Sequence, residues 1–417
     1  MNASEQNKPN QQERVIPKLR FPEFQTALGW KLDTLGQVLT EPKQIAVQNS
    51  QDIELITVKL HCKGIESTGK FPLKTASGRP YYRRFQNEIL IGRQNFHNGG
   101  IGIVNSDHDG KICSNAISSF NVKSDNLEFV FRYISRETFY KSVISSLGGT
   151  GQKEIKKSQL LNLNIFIPSL KEQQKIADCL SSLDELIELQ EQKLATLKQH
   201  KKGLMQQLFP SHHALQAGRV VYPKLRFPQF KNCEGWDVVE LRDVGYFVKE
   251  KMEVKNLEPP NYISTENLLS DYGGVTASNK LPATEKVTAY KKNDILVSNI
   301  RPYLKKVWQA DKNGGASNDI IIIRAKPSIN ISFLSFAIKN DDFIDYMMKG
   351  AKGVKMPRGD LNLISIFPVA VPTSPKEQQA IADCLSSLDN LINEQNERIG
   401  RLKTHKKGLM QQLFPNI

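Results

Sequence analysis

The side chains in this sequence most able to do chemistry are arginines, glutamines, asparagines and lysines gathered in five short segments. Residues 79–84 read RPYYRR and supply Arg79, Arg83 and Arg84; residues 92–97 read GRQNFH and supply Arg93, Gln94 and Asn95. Residues 148–153, GGTGQK, end on Lys153. Farther on, residues 298–306 (SNIRPYLKK) hold Asn299, Arg301, Tyr303, Lys305 and Lys306, and residues 350–358 (GAKGVKMPR) hold Lys352, Lys355 and Arg358. Guanidinium and amide groups can make bidentate hydrogen bonds to the edges of bases, while lysines and glycine amides hold phosphates. The chemistry of these loops is recognition of a polyanion.

Catalytic spacing is absent. Neither GGTGQK nor GAKGVK has the GxxxxGK[ST] spacing of a P-loop, and no glycine-rich fingerprint opens a helix after a strand. The run EPPNY (residues 258–262) has a Pro-Pro followed by an aromatic, but Asn261 stands between them, unlike the [DNS]PP[YF] loop of amino-methyltransferases. Five cysteines (62, 113, 179, 233, 384) and seven histidines show no metal-ligand spacing. The chain therefore reads as a binder that needs no cofactor and no metal. It has no leader-like start, and no apolar run approaches about 18 residues, so a reduced, cytoplasmic protein without a membrane span is expected.

Strand patterns precede these loops. Residues 54–58, 88–91 and 101–104, and later 294–297 and 320–323, read as strands; residues 127–146 and 331–349 read as short helices. The motif Asn87-Glu-Ile-Leu returns as Asn293-Asp-Ile-Leu, so the two regions are expected to share one mixed α+β fold. Net charge over 417 residues is +14. Residues 171–210 carry six Lys/Arg against six Asp/Glu, and residues 376–415 carry six against five, which leaves +13 for the rest. The basicity lies in the variable regions, as a nucleic-acid partner requires.

Those two 40-residue segments are copies of one another, identical at 29 positions. A shorter repeat, PKLRFPEF with Gly29-Trp30 and PKLRFPQF with Gly235-Trp236, runs in the same order. The expected organisation is a disordered tail (1–16), a first module (17–170), a helix (171–210), a linker (211–222), a second module (223–375) and a C-terminal helix (376–417). Ile176, Leu180, Leu183, Ile187, Gln190, Leu194, Leu197, Lys201, Leu204 and Leu208 recur at alternating spacings of four and three. The second copy repeats the seam as Ile381, Leu385, Leu388, Ile392, Gln395, Ile399, Leu402, Lys406, Leu409 and Leu413. This is a heptad pattern, and roughly 38 residues make a rod of about 57 Å. Gly203 and Gly408 interrupt both helices, from close approach of another backbone or from drift after duplication.

The helix pair is expected to be antiparallel. About a dozen residues separate the first helix from the second module, and that module leads straight into the second helix. A module with a radius of gyration near 15 Å cannot enter at one end of so long a rod and leave at the other. Antiparallel pairing keeps the duplicated Cys179 and Cys384 roughly 33 Å apart.

As a set, these features resemble the specificity subunit of type I restriction–modification systems. The resemblance rests on residues 167–184 (IPSLKEQQKIADCLSSLD), their second copy ending at Asp389, both KKGLMQQLF ends, the Gly-Trp segments and the glycine-rich loop before each helix. It implies two target-recognition domains, each reading one half of a bipartite double-stranded DNA site, joined by spacer helices. It also implies two methyltransferase subunits docked on the helices and restriction (translocase) subunits joined through them. Adenine methylation and ATP-dependent cleavage would reside in those partners, and the chain itself would not be an enzyme. Pseudo-twofold modules would dock on groove segments about 34–36 Å apart, and the partner would flip the adenine. The resemblance transfers no base-reading residue, so the loop residues above stand on side-chain chemistry alone. The reading from another class is a coiled-coil scaffold with two ligand- or protein-binding modules that does not bind DNA.

Overall fold

A computed structural model describes residues 14–47, 51–72, 80–146, 154–353 and 355–415. The chain forms two compact units, and neither is a continuous stretch of sequence. The first takes residues 1–190 together with 398–417, and the second takes residues 191–397. Each unit therefore contains one module, the start of the helix that leaves it and the end of the helix that arrives.

Each unit repeats three antiparallel-rich sheets. In the first unit the central sheet runs Leu39–Thr40, Ile117–Val122, Ile89–Gly92, Ile101–Ile103; in the second it runs Gly245–Phe247, Ile320–Ala325, Ile295–Ser298, Val307–Gln309. The unbroken Ile320–Ile323 run follows from burial on both faces. Ile321 and Ile323 point into one core and Ile320 and Ile322 into another, as the two-residue period of a strand requires. Leu90 is likewise turned away from Ile89 and Ile91. The repeated Asn-acid-Ile-Leu motif opens the inner strand each time. Asn87 (φ 71°) and Asn293 (φ 76°) take the left-handed conformation that asparagine tolerates. The acid behind each is buried: Glu88 accepts from Ser119 Oγ at 2.5 Å, and Asp294 takes both ends of the Arg324 guanidinium at 2.7 Å.

A second sheet holds Ala46–Val47, Tyr81–Arg83 and Ile112–Ser114 in the first unit. Its counterpart holds Lys251–Glu253, Lys286–Tyr290, Gly314–Ala316 and Tyr262–Ile263. The third sheet begins earlier than the sequence suggests. Arg14–Val15, expected to lie in a disordered tail, pairs with Trp30–Lys31, and residues 1–13 lie outside the described residues. Val220–Val221 does the same with Trp236 and Asp237, inside the stretch expected to be a linker, which also holds the helix His212–Ala217. The helices expected at 127–146 and 331–349 are each broken in two. Leu127–Ile134 gives way to Glu137–Ser142 and a 3₁₀ turn, and Ile331–Ile338 gives way to Asp341–Lys349, where Asn340 caps the new start by accepting from Asp342 N at 3.2 Å.

The long helices span Leu170–Leu208 and Pro375–Leu413, 39 residues each, about 58 Å of rise. In the first unit Ile176 and Leu180 share a core with Leu409 and Leu413; in the second, Leu204 and Leu208 share one with Ile381 and Leu385. The start of each helix meets the end of the other, so the pair is antiparallel. All twenty seam positions are buried or half-buried. The two lysines in the seam face carboxylates on the opposite helix. Lys201 Nζ reaches Asp389 at 2.5 Å, and Lys406 pairs with Asp184, which also receives Arg132 at 2.8 Å. Nothing lies within 4 Å of a Cβ built on Gly203 or Gly408, so no described backbone crowds either glycine.

Candidate nucleic-acid interface

The framework that carries the loops is anchored by one buried network made twice. Glu172, at the start of the first long helix, accepts from Arg20 Nε and Nη2 at 2.7 Å each and from Trp30 Nε1 at 3.1 Å. Glu377 accepts from Arg226 Nε and Nη2 at 2.7 Å and from Trp236 Nε1 at 3.2 Å. The Arg of PKLRFP, the Trp of Gly-Trp and the Glu of KEQQ are thus three parts of one fork-to-carboxylate contact, which is why both repeats recur together. The next residue, Gln173 or Gln378, accepts from the backbone of the helix cap Asn126 or Asn330 at 2.8 Å. Each module's main helix is thereby locked to a long helix.

On this frame the second unit brings two of the predicted loops together. Arg301 N donates to Pro357 O at 2.9 Å, Gly359 N to Asn299 O at 3.4 Å, and Ile300 pairs with Arg358 as a β-bridge. Lys352 and Arg358 close the second loop on itself by two backbone hydrogen bonds of 2.9 and 3.0 Å. Arg301 (φ 49°) and Lys305 (φ 53°) are non-glycine residues in the left-handed region, on either side of the turn Pro302–Leu304. That conformation costs of order 1 kcal/mol or more per residue and persists where the surroundings dictate it, commonly at functional loops. Arg301 and Tyr303 are exposed, as are Lys352, Lys355 and Arg358. The Asn299 Oδ1 is buried without a hydrogen-bond partner among the described residues.

In the first unit Arg93 N donates to Ala116 O at 3.2 Å and its carbonyl accepts from Ile155 N at 3.2 Å. Asn299 makes the corresponding backbone contacts, to Asp319 O at 2.8 Å and from Gly359 N at 3.4 Å. Arg93 and Asn299 therefore occupy one equivalent position. Gln94 is half-buried and Asn95 is exposed beside Arg93.

Several predicted contacts fare differently. Arg84 is buried, 2% exposed, with its guanidinium committed to Cys113, Gln44 and the Ile117 carbonyl. It is a core group in the residue just after the strand Tyr81–Arg83, while Arg83 at the strand's end stays half-exposed. Lys305 pairs with Asp341 at 2.8 Å, and Lys306 Nζ donates to Thr265 O at 2.6 Å, so both lysines brace the loop. Arg93 is held by Glu154, Asn115 O and Ser118 Oγ. Arg358–Asp319 (2.9 Å) and Lys352–Asp360 (3.4 Å) are surface pairs, whose breaking costs little. Lys355 has no ion-pair partner among the described residues. Arg79 and Lys153 lie outside the described residues.

One element went unrecognised in the sequence. His61 and Cys62 both have positive φ and hang on Asn98 O and Gly99 O by 2.8 Å backbone bonds. Asp271 and Tyr272, also both positive, hang on Leu304 O and Lys305 O at 3.0 and 2.9 Å. A third segment thus runs beside the loop that follows the inner strand in each unit. Burial, and then Asp341 beside it, push the Tyr272 phenol well above its ordinary value, so it stays protonated and donates to Asp341 at 3.2 Å. Only conformation marks this dipeptide, and no residue type signals it. Among the described residues no group of three or more His, Cys, Asp or Glu could hold a metal ion, and no helix is long and apolar enough to cross a membrane.

The family described as the type I restriction modification DNA specificity domain matches residues 64–199 and 233–402, once in each half of the chain. The type I restriction enzyme MjaVIII specificity subunit of Methanocaldococcus jannaschii is 26% identical over 314 residues, 70% of this chain and 69% of that protein. The EcoDI specificity subunit of Escherichia coli is 22% identical over 299 residues, 66% of each. The matched stretches thus span about two thirds of these relatives. The type I restriction-modification system S subunit from M. genitalium has the same fold, with a TM-score of 0.55 at 16% identity, covering 97% of this chain and all of that one. The two matched regions cover well over half of the chain, and the chain belongs to the type I restriction modification DNA specificity family.

Proposed function

We propose that this chain is the DNA-recognition subunit of a type I restriction–modification complex. The single observation that carries the reading is the duplication: family membership falls once in each unit, and in each an identical anchor supports divergent cationic loops. Each module (residues 17–170 and 223–375) acts as a target-recognition domain for one half of a bipartite duplex site, and the helices act as the spacer. The chain performs no chemistry; adenine methylation and ATP-dependent cleavage belong to two methyltransferase subunits and the restriction subunits docked through them. A role on DNA supports a cytoplasmic location. Replacing residues 223–375 with another member's second module is expected to change one half-site and leave the other intact, read by methylome sequencing of cells carrying the chain with its methyltransferase. A change in both half-sites would defeat the modular reading.

Arg83, Arg93, Gln94 and Asn95 in the first unit, and Asn299, Arg301, Tyr303, Lys352, Lys355 and Arg358 in the second, are the proposed DNA contacts. Lys305 and Lys306 support them from behind. Exposed Arg301, fixed in a strained turn, is suited to a base edge, whereas exposed Lys355 is suited to a phosphate. Arg301→Ala is expected to lower specific binding by about 1–3 kcal/mol with little effect on random DNA. Lys355→Ala should weaken both equally and reduce the salt slope by about one. Binding titrations on cognate and random duplexes at several salt concentrations check this; equal losses for Arg301 would make it a phosphate contact.

A further inference from the structure

We infer that Glu266 is a specificity-determining residue of the second unit, accepting a hydrogen bond from the exocyclic amine of a cytosine. The inference rests on the DNA-recognition reading above and goes beyond it by naming a residue and a base. It starts from a difference between two otherwise matched frames. The bridge Leu55 to Ile112 in the first unit corresponds to the parallel pairing of Tyr262 with Gly315 in the second. From that shared point, Ile56 to the positive-φ residue His61 is a step of five residues, and Ile263 to the positive-φ residue Asp271 is a step of eight. The frame on either side is the same; the segment it presents is longer in the second unit.

That longer segment is held in place before any ligand arrives. Ser264 N and Oγ both reach Asn267 Oδ1 at 2.9 and 2.8 Å, and Asn267 N closes the turn on Ser264 O at 3.1 Å. The Glu266 amide points back to Ser264 Oγ at 3.3 Å. Thr265 O takes the Lys306 ammonium, and Asp271 and Tyr272 fasten the far end to the 302–305 turn. The segment therefore lies alongside the loop that carries Arg301, on the same edge. Its tip is Glu266, which is exposed and has no ion-pair partner among the described residues, although Lys306 lies one residue away.

An unpaired carboxylate on an edge that binds DNA is costly next to phosphates, and the duplex charge density makes the repulsion large. It is compensated where the carboxylate meets a donor. In the major groove the cytosine N4 amine is the donor that Glu and Asp characteristically accept from. A fixed turn with a single carboxylate at its tip is suited to that contact, because the ordering cost has been met within the protein.

The test uses the full chain co-expressed with its methyltransferase subunits and selection from random duplex DNA. The wild type should enrich a bipartite motif with cytosine at one position of the second half-site. Glu266→Ala should lose preference at that position alone, binding the original site about 5- to 150-fold more weakly. Glu266→Gln should shift that position towards adenine, whose N6 and N7 a glutamine amide can engage. Identical motifs from all three proteins, with the variants binding every duplex more tightly, would overturn the inference and leave the recognition reading intact. Enrichment of no bipartite motif by the wild type would overturn both.

Discussion

Replacing Glu377 with alanine is expected to destabilise the second unit by about 3–5 kcal/mol, the cost of breaking a buried ion pair from one side. The Arg226 side chain is 8% exposed and that of Glu377 1%, so the substitution leaves a guanidinium charged and shielded from water. Trp236 Nε1 loses its acceptor as well. Glu172→Ala should do the same to the first unit, where Arg20 is 5% and Glu172 2% exposed. A compensating pair, Arg226→Met with Glu377→Leu, should recover most of the loss, since a buried ion pair replaced by apolar groups is often neutral or stabilising. Urea unfolding followed by tryptophan fluorescence gives the magnitude, and hydrogen exchange shows which unit opens. A loss below about 1 kcal/mol for Glu377→Ala would mean that the network is not an anchor.

Phe414→Ala is expected to cost about 3–5 kcal/mol, and to damage the opposite end of the sequence. Phe414 is 1% exposed, and its ring lies 6.1 Å from Trp30, 5.5 Å from Phe129 and 5.6 Å from Tyr133. Arg136 sits over it at 5.0 Å and donates to the Pro415 carbonyl at 2.8 Å. The residues just after the second long helix are therefore core material of the N-terminal module. Loss of protection in residues 127–143 on hydrogen exchange is the expected signature, with the second unit unchanged. Phe209, packed on Trp236 and Phe333, is its counterpart there. Protection lost only around residues 409–415 would show that Phe414 closes its own helix and not the first module.

The sequence by itself determined the duplicated plan and the long helices, for a physical reason. Helical period, heptad seam and charge are local properties, and a repeat displays them twice. Even the helix direction followed, because a module too small to span the rod forces the antiparallel arrangement. Tertiary structure alone decided which charges face outward. Arg84 and Arg83 are neighbours in a basic run, but Arg84 lies in the core, where Cys113, Gln44 and the Ile117 carbonyl take its guanidinium. Lys305 and Lys306 read as free cations and are spent on Asp341 and Thr265. Closure of the first module by Phe414, the meeting of residues 299–301 with 357–359, and the left-handed pairs at 61–62 and 271–272 were equally hidden. Each depends on atoms far apart in the chain, where neither residue type nor spacing records the partner.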